Sequence, residues 1–288
     1  MTRRPLGSTF FSELTKHVVR IAENSQAHAL PSLPPPSWPA WSSPKGTALF
    51  LDFDGTLADL APQPDAVHIS PDLIALLAQL SERLQGALAL VSGRPLHDLD
   101  HYLSPLVLPA AAEHGALRRR SDGSLHAVAA PDLSHVIVAA HSLAAQHAGL
   151  RVEVKSAAVA LHYRHAPALE SLCREALSQA LKQSQGVELL HGKFVFEIKP
   201  AGVNKGTAIA AFMREAPFDG RSPVFAGDDT TDESGFALVQ SLGGMGVKVG
   251  EGATQANHRI DNPAALRGWL LAALQGELPF LPFALPVT

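Results

Sequence analysis

The sequence predicts an α/β fold: an open, doubly wound parallel sheet into which a smaller α/β unit is inserted. Two observations carry that expectation. Short continuous apolar runs, such as Ala48-Leu49-Phe50-Leu51 and Ala87-Leu88-Ala89-Leu90-Val91, alternate with helical patterns, as strands covered on both faces do. Between about residues 120 and 200 the rhythm changes to helix, hairpin, helix, hairpin, and hairpins belong to antiparallel sheets. A third observation places the chemistry. Asp52-Phe53-Asp54-Gly55-Thr56 follows the first apolar run, so two carboxylates stand at the carboxyl end of a strand, where open α/β sheets keep their sites. In an extended segment they point the same way, and a cation or a proton relieves their repulsion.

Taken in order, residues 1–45 read as an extension, with an amphipathic helix over Ser12–Glu23 and a Pro-rich spacer from Leu30 to Pro39. The first strand is expected over Thr47–Phe53. Ser70-Pro71-Asp72 opens a helix: Ser caps, Pro takes the first turn and Asp suits the positive end. Leu73, Leu76, Leu77, Leu80 and Leu84 share one face of it, and Gly86 ends it. The second strand, 87–91, runs into Ser92-Gly93-Arg94-Pro95. A helix follows over Leu96–Leu103, and a third strand over Val107–Ala112 closes on Glu113-His114-Gly115. Arg118-Arg119-Arg120 reads as a solvated run at a hinge.

The inserted unit is expected to have helices at Asp132–His147 and Pro167–Gln183. Its hairpins pair Arg151–Lys155 with Ala158–Arg164, and Val187–Leu190 with Lys193–Lys199. Lys205 then opens a helix that returns to the main sheet. Pro223–Gly227 is a strand ending in Asp228-Asp229-Thr230-Thr231-Asp232-Glu233, Gly246–Val249 is another, and Ala264–Leu274 is a last helix. The divisions are thus an extension at 1–45, a Rossmann-like core at 46–119 and 201–275, a smaller α/β domain at 120–200 and a tail at 276–288.

Composition excludes several classes. Hydrophobic content of 46% with 17% charged residues describes a globular chain, and a net charge of −4 without a basic stripe argues against nucleic acid. No run reaches the about 18 apolar residues of a membrane span. The single cysteine, Cys173, excludes an internal disulfide and fits a cytoplasmic location; its helical pattern makes it a packing residue. The 14 histidines show no HExxH spacing, which argues against zinc.

Four places fall at strand ends or helix starts: Asp52 with Asp54, Ser92, Lys205, and the acidic cluster from Asp228 to Glu233. Hard carboxylate oxygens suit Mg²⁺, which needs only one or two of them. A hydroxyl and an ammonium suit phosphate oxygens. Together they describe phosphoryl chemistry.

These segments resemble the four motifs of the haloacid dehalogenase (HAD) superfamily phosphatases: DFDGT at 52–56, VSGR at 91–94, NKG at 204–206 and GDD at 227–229. With LHYR at 161–164, EHGA at 113–116, GATQA at 252–256 and the stretch from Gly192 to Pro200, residues 46–275 resemble the bacterial trehalose-6-phosphate phosphatases in particular. The resemblance implies a HAD core with a sugar-closing cap. It implies hydrolysis of trehalose 6-phosphate, the last step of trehalose biosynthesis. Alternatives are another sugar phosphate, such as sucrose 6-phosphate, or a non-catalytic regulatory domain.

It also implies roles. Asp52 is the nucleophile that becomes an aspartyl phosphate, and Asp54 is the general acid and base. Mg²⁺ rests on Asp52, the Asp54 backbone carbonyl and Asp228. Phosphate is held at Asp52, Phe53, Asp54, Gly55, Ser92, Gly93 and Lys205, with the turn at Gly55 bringing N–H groups to its oxygens. Asp229 and Asp232 orient metal-bound waters or Lys205. Arg94, Glu113, Lys193, Glu197 and Lys199 are candidates for the sugar. Residues 1–45 are a candidate docking segment for a trehalose-6-phosphate synthase.

Overall fold

The structure, a computed structural model, describes residues 46–60, 67–192 and 194–275. Expectations for 1–45, 61–66, Lys193 and 276–288 fall outside those residues.

Among the described residues, the larger sheet has eight strands: β1 Thr47–Leu51, β2 Leu88–Val91, β3 Ala110–Ala112, β4 Leu117–Arg119, β5 Leu125–Ala127, β10 Ser222–Gly227, β11 Met245–Val249 and β12 His258–Ile260. Their order is β12-β11-β10-β1-β2-β3-β4-β5. All neighbours from β12 to β3 are parallel, while β4 and β5 continue the sheet antiparallel. β1 is buried along its whole length, as its apolar run requires. From β1 the chain moves outward through β2 and β3, and from β10 it moves the other way through β11 and β12. The reversal falls between β1 and β10, the crevice where such sheets bind ligands.

Helices α1 (Pro71–Arg83), α2 (Leu96–Leu103), α5 (Lys205–Phe212), α6 (Glu233–Ser241) and α7 (Pro263–Gln275) accompany this sheet. α1 starts as its sequence dictates: the Ser70 side chain accepts from the Leu73 N–H, and Pro71 occupies the first turn. α1 packs near α7, and α5 packs against α6. The core is aromatic on one side of β1, where the Phe50 ring lies 5.3 Å from Phe218 and 6.0 Å from Phe212.

The second sheet is antiparallel, ordered β6-β7-β9-β8, from β6 Arg151–Val154, β7 Val159–His162, β8 Val187–Gly192 and β9 Val195–Pro200. Helices α3 (Ser134–Gln146) and α4 (Glu170–Leu181) cover it. Alternation sorts β9: Phe196 and Ile198 join Val136, Cys173 and Leu177 in a second apolar core, so Glu197 falls on the opposite face with Lys199. Cys173 is buried there, as a packing residue.

Two expectations change. The large sheet takes in β5, so it extends past the expected boundary at 119/120. Arg118–Arg120 is not a solvated run. Arg118 and Arg119 lie buried in β4. Arg118 forks onto Glu215 at 2.8 and 2.9 Å and lies over the Phe212 ring. Arg119 forks onto Asp100 at 2.7 Å and donates to the Leu108 carbonyl. The run looked solvated because both neutralising acids are distant in sequence. Among the described residues, no helix is long and apolar enough to cross a membrane.

Truncating the aromatic contact under β1 tests this packing. Phe50→Ala is expected to lose about 3–5 kcal/mol, read as a lower urea midpoint at unchanged slope. A loss below about 1 kcal/mol would mean that the Phe50 ring is not a core element.

Candidate active site

The site is built at the carboxyl ends of β1 and β10. These strands pair in register from Thr47 with Ser222 to Leu51 with Ala226, so the next residues, Asp52 and Asp228, emerge side by side. Lys205 enters from the first turn of α5. That helix is fixed by Asn204, whose side chain accepts from the Thr207 N–H while the Thr207 hydroxyl accepts from the Asn204 N–H. Lys205 is almost fully buried, and its Nζ donates to Asp52 Oδ1 at 2.8 Å and to Asp232 Oδ1 at 2.6 Å.

Carboxylate oxygens of Asp52, Asp228 and Asp232 come within 4.8 Å of one another. Thr56 donates towards both Asp52, at 3.3 Å, and Asp228, at 3.4 Å. Asp232 also accepts from the Asp229 N–H at 2.9 Å. It is therefore closer to the centre than expected: it belongs to the acidic cluster as well as to Lys205. Asp229 does not join the cluster; its side chain caps the turn by accepting from the Thr230 N–H at 2.7 Å. Gly55 has φ +75°, and a methyl group there would overlap the Asp228 carboxylate, so only glycine fits. Its N–H closes its own turn onto the Ala58 carbonyl at 2.8 Å. Gly55 thus contributes room and conformation, and its N–H is already committed.

Burial and crowding make the protons of two of these acids, Asp52 and Asp228, harder to remove. Burial, then the charges of Asp232 and Asp228, push the Asp52 carboxyl well above its ordinary range against the pull of Lys205. Burial alone would lower Lys205, but Asp232 and Asp52 outweigh it and raise its pKa. Burial and Asp232 raise Asp228 to about 6. A divalent cation is the species that these hard oxygens suit.

Asp54 faces elsewhere. Arg94 forks onto both its oxygens at 2.6 and 2.7 Å. The guanidinium also lies 5.6 Å from the Phe53 ring centroid and 4.9 Å from that of Tyr102, and 3.8 Å from Asp98. Arg94 therefore ties the Asp54 loop to the start of α2. Ser92 is buried, and its Oγ accepts from the Arg94 N–H at 3.2 Å. Gly93 leaves no room for a side chain, because a Cβ there would lie 2.6 Å from the His114 ring.

The polar face of the smaller sheet closes over these groups. Glu197 is buried and pairs with Lys155 at 2.7 Å. Lys155, from the β6–β7 turn, also donates to the Gly93 carbonyl at 3.2 Å. Ser156, beside it, donates its N–H and hydroxyl to Glu113 at 3.0 and 2.7 Å. Glu113 and His114 both adopt left-handed backbone, φ +49° and +57°. His114 lies 3.9 Å from Glu197, and burial followed by Lys155, Lys205 and Lys199 keeps its pKa well below the ordinary value. Lys199 is buried and donates to Glu188 and to the Val203 carbonyl. A cavity of ≈ 150 Å³ is lined by His114, Lys199, Lys205 and Thr231, among others. Another, of ≈ 440 Å³, is lined by Pro95, Glu113, Lys155 and Ser156. Glu197 Oε1 and His114 Nδ1 are buried without a hydrogen-bond partner among the described residues.

Lys155 was missed from the sequence. The signal was there: Arg151–Lys155 alternates, and a lysine at a hairpin turn between two sheets has two sides to bridge.

A model of the family described as "Trehalose-phosphatase" matches residues 50–266. The chain belongs to the trehalose-phosphatase family. It is 47% identical over 225 residues to the trehalose-6-phosphate phosphatase of Escherichia coli strain K12, covering 77% of this chain and 85% of that one. A crystal structure titled trehalose-6-phosphate phosphatase related protein superposes with a TM-score of 0.67 at 27% identity, over 79% of this chain and 96% of the other. A Bacteroides thetaiotaomicron phosphatase of the HAD superfamily shares the fold, with a TM-score of 0.57 at 15% identity, over 88% and 100% of the two chains. The core of this trehalose-phosphatase family member is thus the HAD fold.

The acidic cluster should control stability against pH. Folded Asp228 keeps its proton up to about 6, whereas the usual carboxyl value is 3.8. Between those values the folded state binds more protons than the unfolded one, so stability falls as pH rises and stays lowered above the window. In EDTA, the melting temperature is expected to fall between about pH 4 and 6 more steeply for the parent than for Asp228→Asn. Equal slopes would remove Asp228 as the cause.

Proposed function

We propose that the protein is a Mg²⁺-dependent phosphatase that hydrolyses trehalose 6-phosphate to trehalose and phosphate. The observation that carries this reading is the convergence of Asp52, Lys205, Asp228 and Asp232 beneath a buried polar face of the second sheet. Family membership supports the substrate, since the Escherichia coli relative is named for it.

In this reading an Asp52 oxygen attacks phosphorus in line, and the bond from phosphorus to the sugar oxygen breaks. Asp54 gives its proton to the departing oxygen. Asp54 then takes a proton from water, whose oxygen attacks the aspartyl phosphate and frees Asp52. Lys205, held between Asp52 and Asp232, neutralises charge as the phosphoryl group transfers, and Ser92 holds another phosphate oxygen. Asp52, Asp228 and the Asp54 carbonyl would hold the Mg²⁺, which supplies Lewis-acid stabilisation of the phosphoryl oxygens. Asp229 supports the loop through its cap.

Both oxygens of Asp54 are engaged by Arg94. Proton transfer therefore requires that fork to loosen when a sugar enters, and the released guanidinium donors then suit sugar hydroxyls. Glu197 Oε1 and His114 Nδ1 offer further partners for hydroxyls, as do Glu113, Lys155 and Lys199. Lys193 is proposed for the same face from its position in the sequence.

A phosphate-release panel tests the reading. With Mg²⁺ present, trehalose 6-phosphate should be preferred over sucrose 6-phosphate and glucose 6-phosphate. Equal rates would remove the disaccharide specificity. Asp52→Asn keeps the shape and removes the nucleophile, so turnover should drop by about 10³-fold or more. Near-parent turnover in that variant would exclude an aspartyl phosphate.

A further inference from the structure

β11 contains a lysine where a covered parallel strand should be apolar. Lys248 is 4% exposed, between the buried Val247 and Val249. A buried ammonium persists only where its donors are satisfied. Register sets Lys248 beside Gly227, the residue before Asp228. Its Nζ donates to the Asp228 backbone carbonyl and, at 3.1 Å, to the Val249 carbonyl. The side chain therefore turns over the carboxyl end of the sheet and ends at the acidic loop. None of the roles assigned above uses it.

What Asp228 lacks makes this contact informative. Asp52 is fixed by Lys205 at 2.8 Å, and Asp232 by Lys205 and the Asp229 N–H. The Asp228 carboxylate has, among the described residues, only the 3.4 Å bond from Thr56. Its direction is then set by its backbone, and Lys248 holds the carbonyl of that same residue. Gly55 supplies the space that the carboxylate enters. One residue clears the path and the other aims the side chain along it.

We propose that Lys248 is a positioning residue: by holding the Asp228 backbone it turns that carboxylate towards Asp52 and Asp232, and so sets the affinity of the cluster for a divalent cation. The inference rests on the cation-binding reading of the cluster. Groups that orient metal ligands typically change metal affinity by about 10- to 100-fold when removed.

The test is Mn²⁺ binding to the metal-free, full-length protein, followed by electron paramagnetic resonance of the free ion. Lys248→Met should weaken Mn²⁺ binding by about tenfold or more, while Lys248→Arg, which keeps a charged donor, should restore most of it. KM for the phosphorylated sugar at saturating Mn²⁺ should change by less than about twofold, because the anchor acts on the metal ligand. Mn²⁺ affinity in Lys248→Met equal to that of the parent would overturn the proposal and leave the phosphatase reading standing. A parent protein that binds no Mn²⁺ would overturn both. If circular dichroism shows Lys248→Met unfolded, Lys248→Gln takes its place. Should both fail to fold, Lys248 is a folding residue and the proposal falls.

Discussion

The buried ion triad of Asp52, Lys205 and Asp232 is what the rest of this structure is arranged to hold. An ammonium between two carboxylates in a covered crevice is expensive to desolvate, and its mutual attraction offsets that cost only when geometry is tight. The geometry here comes from three separate rigid elements. β1 delivers Asp52, the capped first turn of α5 delivers Lys205, and the turn after β10 delivers Asp232. Slackening any one leaves a buried charge without its partner. The parallel pairing of β1 with β10 is therefore as much a part of the site as the acids themselves.

The second sheet solves a different problem. Its polar face would ordinarily meet water, yet Glu197 and Lys199 are almost fully buried because that face meets the loops at the carboxyl end of the large sheet. Polar contacts cross the junction: Lys155, paired with Glu197, reaches the Gly93 carbonyl, and Ser156 donates to Glu113. Cavities lie at this junction, lined by polar side chains such as Glu113, Lys155, Lys199 and Asn204 together with apolar ones such as Leu96, Leu117 and Leu190. A face of paired donors and acceptors with room beside it is suited to a ligand made of hydroxyl groups.

Much of this was legible in the sequence, for local reasons. Continuous apolar runs announce covered strands, and a carboxylate directly after such a run must lie at a strand end; Asp52 and Asp228 follow from that alone. The alternation of Phe196, Glu197, Ile198 and Lys199 likewise separates an apolar face from a polar one. What was not legible depends on partners far along the chain. Arg118 and Arg119 looked solvated because Glu215 and Asp100 are not near them in sequence. Lys248 hides inside an apolar strand, and its purpose becomes visible only when β11 is laid beside β10. The three-residue strands β5 and β12 are too short for any period to mark them. Arg94 was placed near the cleft, but its grip on Asp54 depends on two loops meeting in space.

One feature of the topology bears on how the molecule is made. Lys205 and Asp52 are 153 positions apart, and the whole antiparallel sheet is encoded between them. As the chain leaves the ribosome, β1 can pair with β2 at once, but its other edge has no partner until Ser222–Gly227 has been synthesised. The nascent chain thus carries an almost wholly apolar strand with one open edge while the inserted unit is translated, and such edges invite association with other chains. By then the inserted unit can close on its own apolar core. Completing the active site and sealing that edge are the same late event, so a chain released early is both inactive and prone to aggregate.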